Sequence, residues 1–126
     1  MRLLPLVILV VTGIATGCNG EKPADNPQAK ETHKSQAKLD AALAIGDPSE
    51  RDRALVGVAE SAAAAGEPDI VKRALKNIGD PSNRDRVAES AALKLMKTDK
   101  AAGAVEVANT IGDPSLRDRT LSKLAK

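Results

Sequence analysis

A nine-residue motif recurs three times in this chain at a constant interval. Ile45-Gly46-Asp47-Pro48-Ser49-Glu50-Arg51-Asp52-Arg53 returns as Ile78-Gly79-Asp80-Pro81-Ser82-Asn83-Arg84-Asp85-Arg86. It returns again as Ile111-Gly112-Asp113-Pro114-Ser115-Leu116-Arg117-Asp118-Arg119, with both spacings 33 residues and eight of nine positions identical in all three copies. A fixed period of this size marks a stack of helical units, because one unit cannot bury its apolar face alone and must pack on its neighbours.

Each part of the motif has a local physical role. The Ile ends an apolar-periodic helix, and the Gly after it is expected to take the left-handed backbone that stops a helix. The Asp is placed to cap the next helix. Pro fits the first helical position, where no amide proton is needed. Glu50, present only in the first copy, completes the pattern of a capping box. The motif therefore predicts a tight helix–turn–helix corner, built three times.

The flanking periodicity agrees. Leu55, Val58, Ala59, Ala62 and Ala63 fall on one helical face after the first corner, and Ala88, Ala91, Ala92, Leu95 and Met96 after the second. Leu121, Leu124 and Ala125 follow the third. Before the corners, Ala41, Ala42 and Ile45, then Ala74, Leu75 and Ile78, then Val107, Ala108 and Ile111 form the partner stripes. Breaks at Gly66-Glu67-Pro68 and near Thr98-Asp99 separate the units. The expected fold is all-α: six helices in three hairpins, about 35–45 with 48–65, 69–78 with 81–97, and 100–111 with 114–125. Alanine stripes allow close helix approach but bury little area, so modest stability is expected.

This organisation resembles the tetratricopeptide-like and HEAT-like α-solenoids over residues 37–126. The period is that of the first family, and the Asp-Pro corner followed by Arg is similar to the second. The large aromatic residues of a standard tetratricopeptide unit are missing. The resemblance implies a short right-handed α-solenoid with a scaffold or protein-binding role, and no catalytic site.

The segment before the repeats has another character. Met1-Arg2 leads into an apolar run from Leu3 to Val11 and then Thr12-Gly13-Ile14-Ala15-Thr16-Gly17-Cys18. One basic residue, a short apolar core and small residues make a secretory signal. The run is too short to span a bilayer, which takes roughly 20 apolar residues. Ala15-Thr16-Gly17-Cys18 resembles the lipobox of bacterial lipoproteins, although Ala15 stands where Leu is usual. The resemblance implies that residues 1–17 are removed and that Cys18 carries a diacylglyceryl anchor. An ordinary signal followed by a free Cys18 is the alternative. Residues 18–34 read as the lipidated Cys and a disordered tether, too polar to offset its ordering entropy, with Ser35 near the first helix start. The domain assignment is thus 1–17 signal peptide, 18–34 anchor and tether, and 35–126 helical repeats.

Composition narrows function. The chain has no Phe, Tyr or Trp, which removes base stacking and aromatic hot spots. With 19 basic and 17 acidic residues and no long single-sign block, nothing suggests a grip on nucleic acid. One Cys and one His, His33 in the tether, leave no metal-ligand set, and no cofactor is expected. No nucleophile–base pair or Gly-rich phosphate loop is visible, so the chain does not read as an enzyme.

Two features remain as candidate contacts. The Arg-Asp-Arg triplets place Arg51, Arg84 and Arg117 at equivalent positions in three helices, a ladder suited to acidic groups on a partner. The structural alternative pairs these charges with one another and with the corner aspartates of neighbouring repeats. Leu116 replaces Glu50 and Asn83 of the other copies, and it marks a possible contact with a partner or another copy. The expected function is a lipid-anchored protein of the cell envelope, facing the periplasm or exterior, whose repeats bind another envelope protein. The alternative is a structural lipoprotein or degenerate array with no dedicated ligand.

Overall fold

Every helix that follows a repeated corner starts at its proline. The computed structural model describes residues 27–126, which form α1 (Pro27–Leu43), α2 (Pro48–Ala64), α3 (Pro68–Asn77), α4 (Pro81–Lys97), α5 (Ala101–Ala108) and α6 (Pro114–Leu124). Among the described residues no strand forms. The signal, the lipobox and Cys18 lie outside the described residues.

The motif prolines open α2, α4 and α6, and the preceding aspartates cap them. The Asp47 side chain accepts from the Glu50 amide, Asp80 from the Ser82 and Asn83 amides, and Asp113 from the Leu116 amide. The expected reciprocal half of a capping box is not made, because the Glu50 carboxylate instead accepts from Arg53 at 2.8 Å.

The corner glycines correct an expectation. Among the described glycines only Gly66 has a positive φ, at 75°; Gly46, Gly79 and Gly112 do not. The chain leaves α3 through Ile78 in an extended conformation, with its amide still donating to Leu75. Ile45 and Ile111 make the same bond, to Ala42 and Ala108. Left-handed stops occur at the other junctions, at Gly66 and at Asp99, which stand 33 residues apart. The next amides, of Glu67 and Lys100, reach back to the Ala62 and Leu95 carbonyls, the long bond of a Schellman turn.

The helices stack in two layers. One holds α1, α3 and α5, and the other α2, α4 and α6. Across them α3 packs most closely on α2 and α5 on α4. The tightest hairpins thus turn at Gly66 and Asp99 rather than at the repeated corners, contrary to the expected pairing of α3 with α4 and α5 with α6. The predicted stripes meet between the layers. Leu55, Val58, Ala59, Ala62 and Ala63 are buried there with Ala88, Ala91, Ala92 and Leu95, facing Ala74, Leu75, Ile78, Val107, Ala108 and Ile111. Met96 is exposed. The first helix begins at Pro27, eight residues before the expected start at Ser35, so residues 27–34 belong to α1 rather than to a disordered tether. Leu39 and Ala42 of α1 enter the core, and His33 lies exposed on its first turns.

Candidate functional site

In the first two triplets the middle residue, just past the first turn of its helix, reaches the next corner. The Asp52 carboxylate accepts from the Gly79 amide at 3.0 and 3.1 Å and from the Asp80 amide at 3.2 Å. Asp85 accepts from the Gly112 amide at 3.0 Å and the Asp113 amide at 2.9 Å. Asp80 and Asp113 meanwhile turn their own side chains to the following helix. The second and third corners are thus held on their backbone side by the previous repeat and cap the next helix with their side chains. Charged acceptors on backbone amides are the stronger kind of hydrogen bond.

This clasp revises the expected pairing of the triplets with corner aspartates, whose carboxylates are already used as caps. Four of the six triplet arginines have local partners. Arg53 pairs with Glu50, and Arg86 donates to Asn83 at 3.3 Å. Arg84 Nε and Arg117 Nε lie 3.7 and 3.9 Å from the adjacent Asp85 and Asp118. Arg51, Arg84 and Arg117 are all half-buried, at equivalent first-turn positions. Arg53, Arg86 and Arg119 are exposed. Between repeats, Lys72 binds Glu106 at 2.6 Å, Lys123 binds Glu89 at 2.8 Å, and Lys94 lies 3.7 Å from Glu60.

A shallow groove lined by Lys72, Leu75, Lys76, Arg84 and Thr110 holds the central arginine of the ladder beside two lysines. Glu106, and after it Asp69, hold the Lys72 ammonium above its ordinary range by hydrogen bonding. That ties Lys72 to intramolecular partners and leaves Lys76 and Arg84 as the cations facing the groove. Arg84 Nε is buried there without a hydrogen-bond partner. An acidic side chain is the ligand such a groove would suit.

The two outer faces differ from the interior. Ile70, Ala74 and Ile78 of the second unit are buried, as are Gly103, Val107 and Ile111 of the third. Their counterparts Ala37 and Ala41 are exposed, and Ile45 is only half-buried. At the opposite face Leu121 is half-buried and Ala125 exposed, where the equivalent Leu55, Ala59, Ala88 and Ala92 are buried. Val105 is also exposed. Leu116 is half-buried and packs against the core. Among the described residues no helix is long and apolar enough to cross a membrane. No group of three or more His, Cys, Asp and Glu among them is placed to hold a metal ion.

The clasping role of Asp52 and Asp85 is what sequence reasoning missed. Its signal was present: an invariant Asp stands 27 residues before the next corner Gly in both intervals. Comparison with known proteins gives no matching family model, no matching curated protein and no matching solved structure.

Proposed function

We propose that the chain is a lipid-anchored protein of the cell envelope whose helical hairpins, similar to tetratricopeptide-like or HEAT-like repeats, act as a protein-binding scaffold. The observation that carries the scaffold half is the clasp. Asp52 and Asp85 join successive corners through backbone amides, so relative hairpin positions are fixed without using the outer surface. A rigid, regularly spaced surface with apolar residues at both outer faces suits macromolecular contact better than small-molecule chemistry. The anchor half rests on the sequence around Cys18.

Both halves are testable in one host. Cys18→Ser should abolish lipid labelling and release the protein from the membrane fraction. Unchanged labelling and retention would remove the anchor from the proposal. Crosslinking the anchored chain in its own membranes should recover a defined protein partner, another copy included. Recovery of the uncrosslinked monomer alone would favour a structural lipoprotein with no dedicated ligand.

A further inference from the structure

We propose that copies of this chain stack head to tail, with Asp118 of one copy clasping the first corner, Gly46-Asp47, of the next. This names a partner for the scaffold reading, and it stands whether or not Cys18 is acylated. Three motif copies supply three clasping aspartates and three corners, yet the described structure makes two clasps. Asp52 takes the corner at Gly79, and Asp85 takes the corner at Gly112. One acceptor and one corner are left over, on opposite outer faces of the array.

Both are presented as their occupied counterparts are. Arg117 Nε lies 3.9 Å from Asp118, much as Arg84 Nε lies 3.7 Å from Asp85. The difference is solvent: the Asp118 side chain is 76% exposed and that of Asp85 is 11% exposed. At the corners, a Cβ built on Gly79 or Gly112 would meet the clasping carboxylate oxygen at 3.4 Å, whereas one built on Gly46 meets nothing within 4 Å. Among the described residues the Gly46 and Asp47 amides donate to no carboxylate. The sequence Ile-Gly-Asp-Pro-Ser is the same at all three corners, so a carboxylate arranged for Gly79 suits Gly46.

The apolar surfaces around these half-sites complement each other in the same sense. Ala41 and Ile45 beside the free corner occupy positions that are buried when a preceding hairpin is present, as at Ala74 and Ile78. Leu121 and Ala125 beside Asp118 occupy positions buried when a following hairpin is present, as at Ala88 and Ala92. Joining the two faces extends the internal interface across a chain boundary. Such a contact is heterologous, so it grows into open chains or closes into rings rather than stopping at a symmetric dimer.

The test uses the full chain with Cys18→Ser as background. Gly46→Cys and Asp118→Cys are added in separate variants, both at positions with open space around the side chain. Under mild oxidation a disulfide should form when the two variants are mixed, and the double variant should give a ladder of covalent multimers. Homodimers of either single variant in place of the mixed product, or no crosslink at all, would overturn the stacking. Sedimentation velocity supplies a second readout. The background chain should associate with rising concentration, and Asp118→Lys should weaken that about tenfold with an unchanged helical spectrum, as expected for losing charge-assisted bonds. A chain that stays monomeric refutes the proposal. So does association that Asp118→Lys leaves intact.

Discussion

Asp85 and Gly112 are 27 residues apart in sequence and 3.0 Å apart between carboxylate oxygen and amide nitrogen. The same carboxylate holds the Asp113 amide at 2.9 Å, and Asp85 is one of two buried polar residues among those described. The equivalent Asp52 makes the same bonds from a half-buried position. One geometry thus occurs in two degrees of shielding, which separates the bond from its surroundings. Asp85→Ala should destabilise the fold by about 1.5–3 kcal/mol, the range for hydrogen bonds to a charged group. Asp52→Ala should cost less, because water reaches the abandoned amides. Asp118→Ala should leave the fold of a single chain almost unchanged. Thermal melts followed by helical circular dichroism at low protein concentration rank the three, and an equal loss from all would refute the clasp as a repeat-joining contact.

The left-handed turns give a prediction of opposite sign. Asp99 holds φ at 58° in the position that Gly66 fills at 75°. A side chain in this region costs free energy that glycine avoids, and Asp bears it better than most residues. Asp99→Gly should stabilise the chain by about 0.5–1 kcal/mol. Gly66→Ala should destabilise it by about 1 kcal/mol or more, since the new Cβ also meets Thr98 Oγ1 at 3.3 Å. Urea midpoints at constant m-value decide both. A neutral Asp99→Gly would mean that the Asp side chain contributes something the backbone conformation does not show.

The contrast between these turns and the corners explains what was legible beforehand. The caps were readable because an N-cap Asp and an N1 Pro act within three residues, so local sequence contains the whole interaction. The apolar stripes were readable for the same reason, apart from Ala41, Ile45, Leu121 and Ala125, whose burial depends on a neighbouring unit, and Met96, which is exposed although units flank α4 on both sides. The corner Gly was misassigned because a Gly after a helix commonly signals a left-handed stop. Here Ile78 exits in the extended region, and the Gly79 amide serves a carboxylate 27 residues earlier. The start of α1 was missed because residues 27–34 are polar on all sides, which gives no periodicity to read. Arg73 of α3 nonetheless donates to Gln36 one turn further on, tying this helix to the second hairpin.

Lys72 predicts a pH effect. Its hydrogen bonds to Glu106 first and Asp69 second raise its pKa above the ordinary 10.5. A raised folded-state value means that the pair's stabilisation is fully present below about pH 10, near the unfolded-state pKa, and is lost as pH rises through the folded value. The groups are solvent-accessible, so the effect is small and falls with salt. Glu106→Gln should therefore flatten the alkaline limb of the stability profile between about pH 10 and 12 while leaving its neutral-pH shape unchanged. Melting temperatures across that range at two ionic strengths check it, and an alkaline limb identical to the parent's would exclude the pair as its source.

The two glycines inside the described helices should answer the same substitution in opposite directions. Gly57 lies within α2, and an added Cβ meets nothing within 4 Å. Gly57→Ala therefore keeps only the helix-propensity gain, and should stabilise a single chain by up to about 1 kcal/mol. Gly103 lies within α5, buried against α3, and its Cβ would come to 2.6 and 2.7 Å from the Pro68 Cβ and Cγ. A proline ring at the start of a helix has little freedom to move aside, so the overlap must be relieved by shifting α5 against α3. Overpacking of this kind costs about 1–3 kcal/mol, enough to exceed the propensity gain. Gly103→Ala should therefore be net destabilising, and Pro68→Ala in the same chain should recover part of the loss by removing the ring. A double-mutant cycle on urea midpoints measures that recovery as a coupling energy between positions 68 and 103. A coupling of zero would show that the destabilisation, if present, arises elsewhere than at the α3–α5 contact.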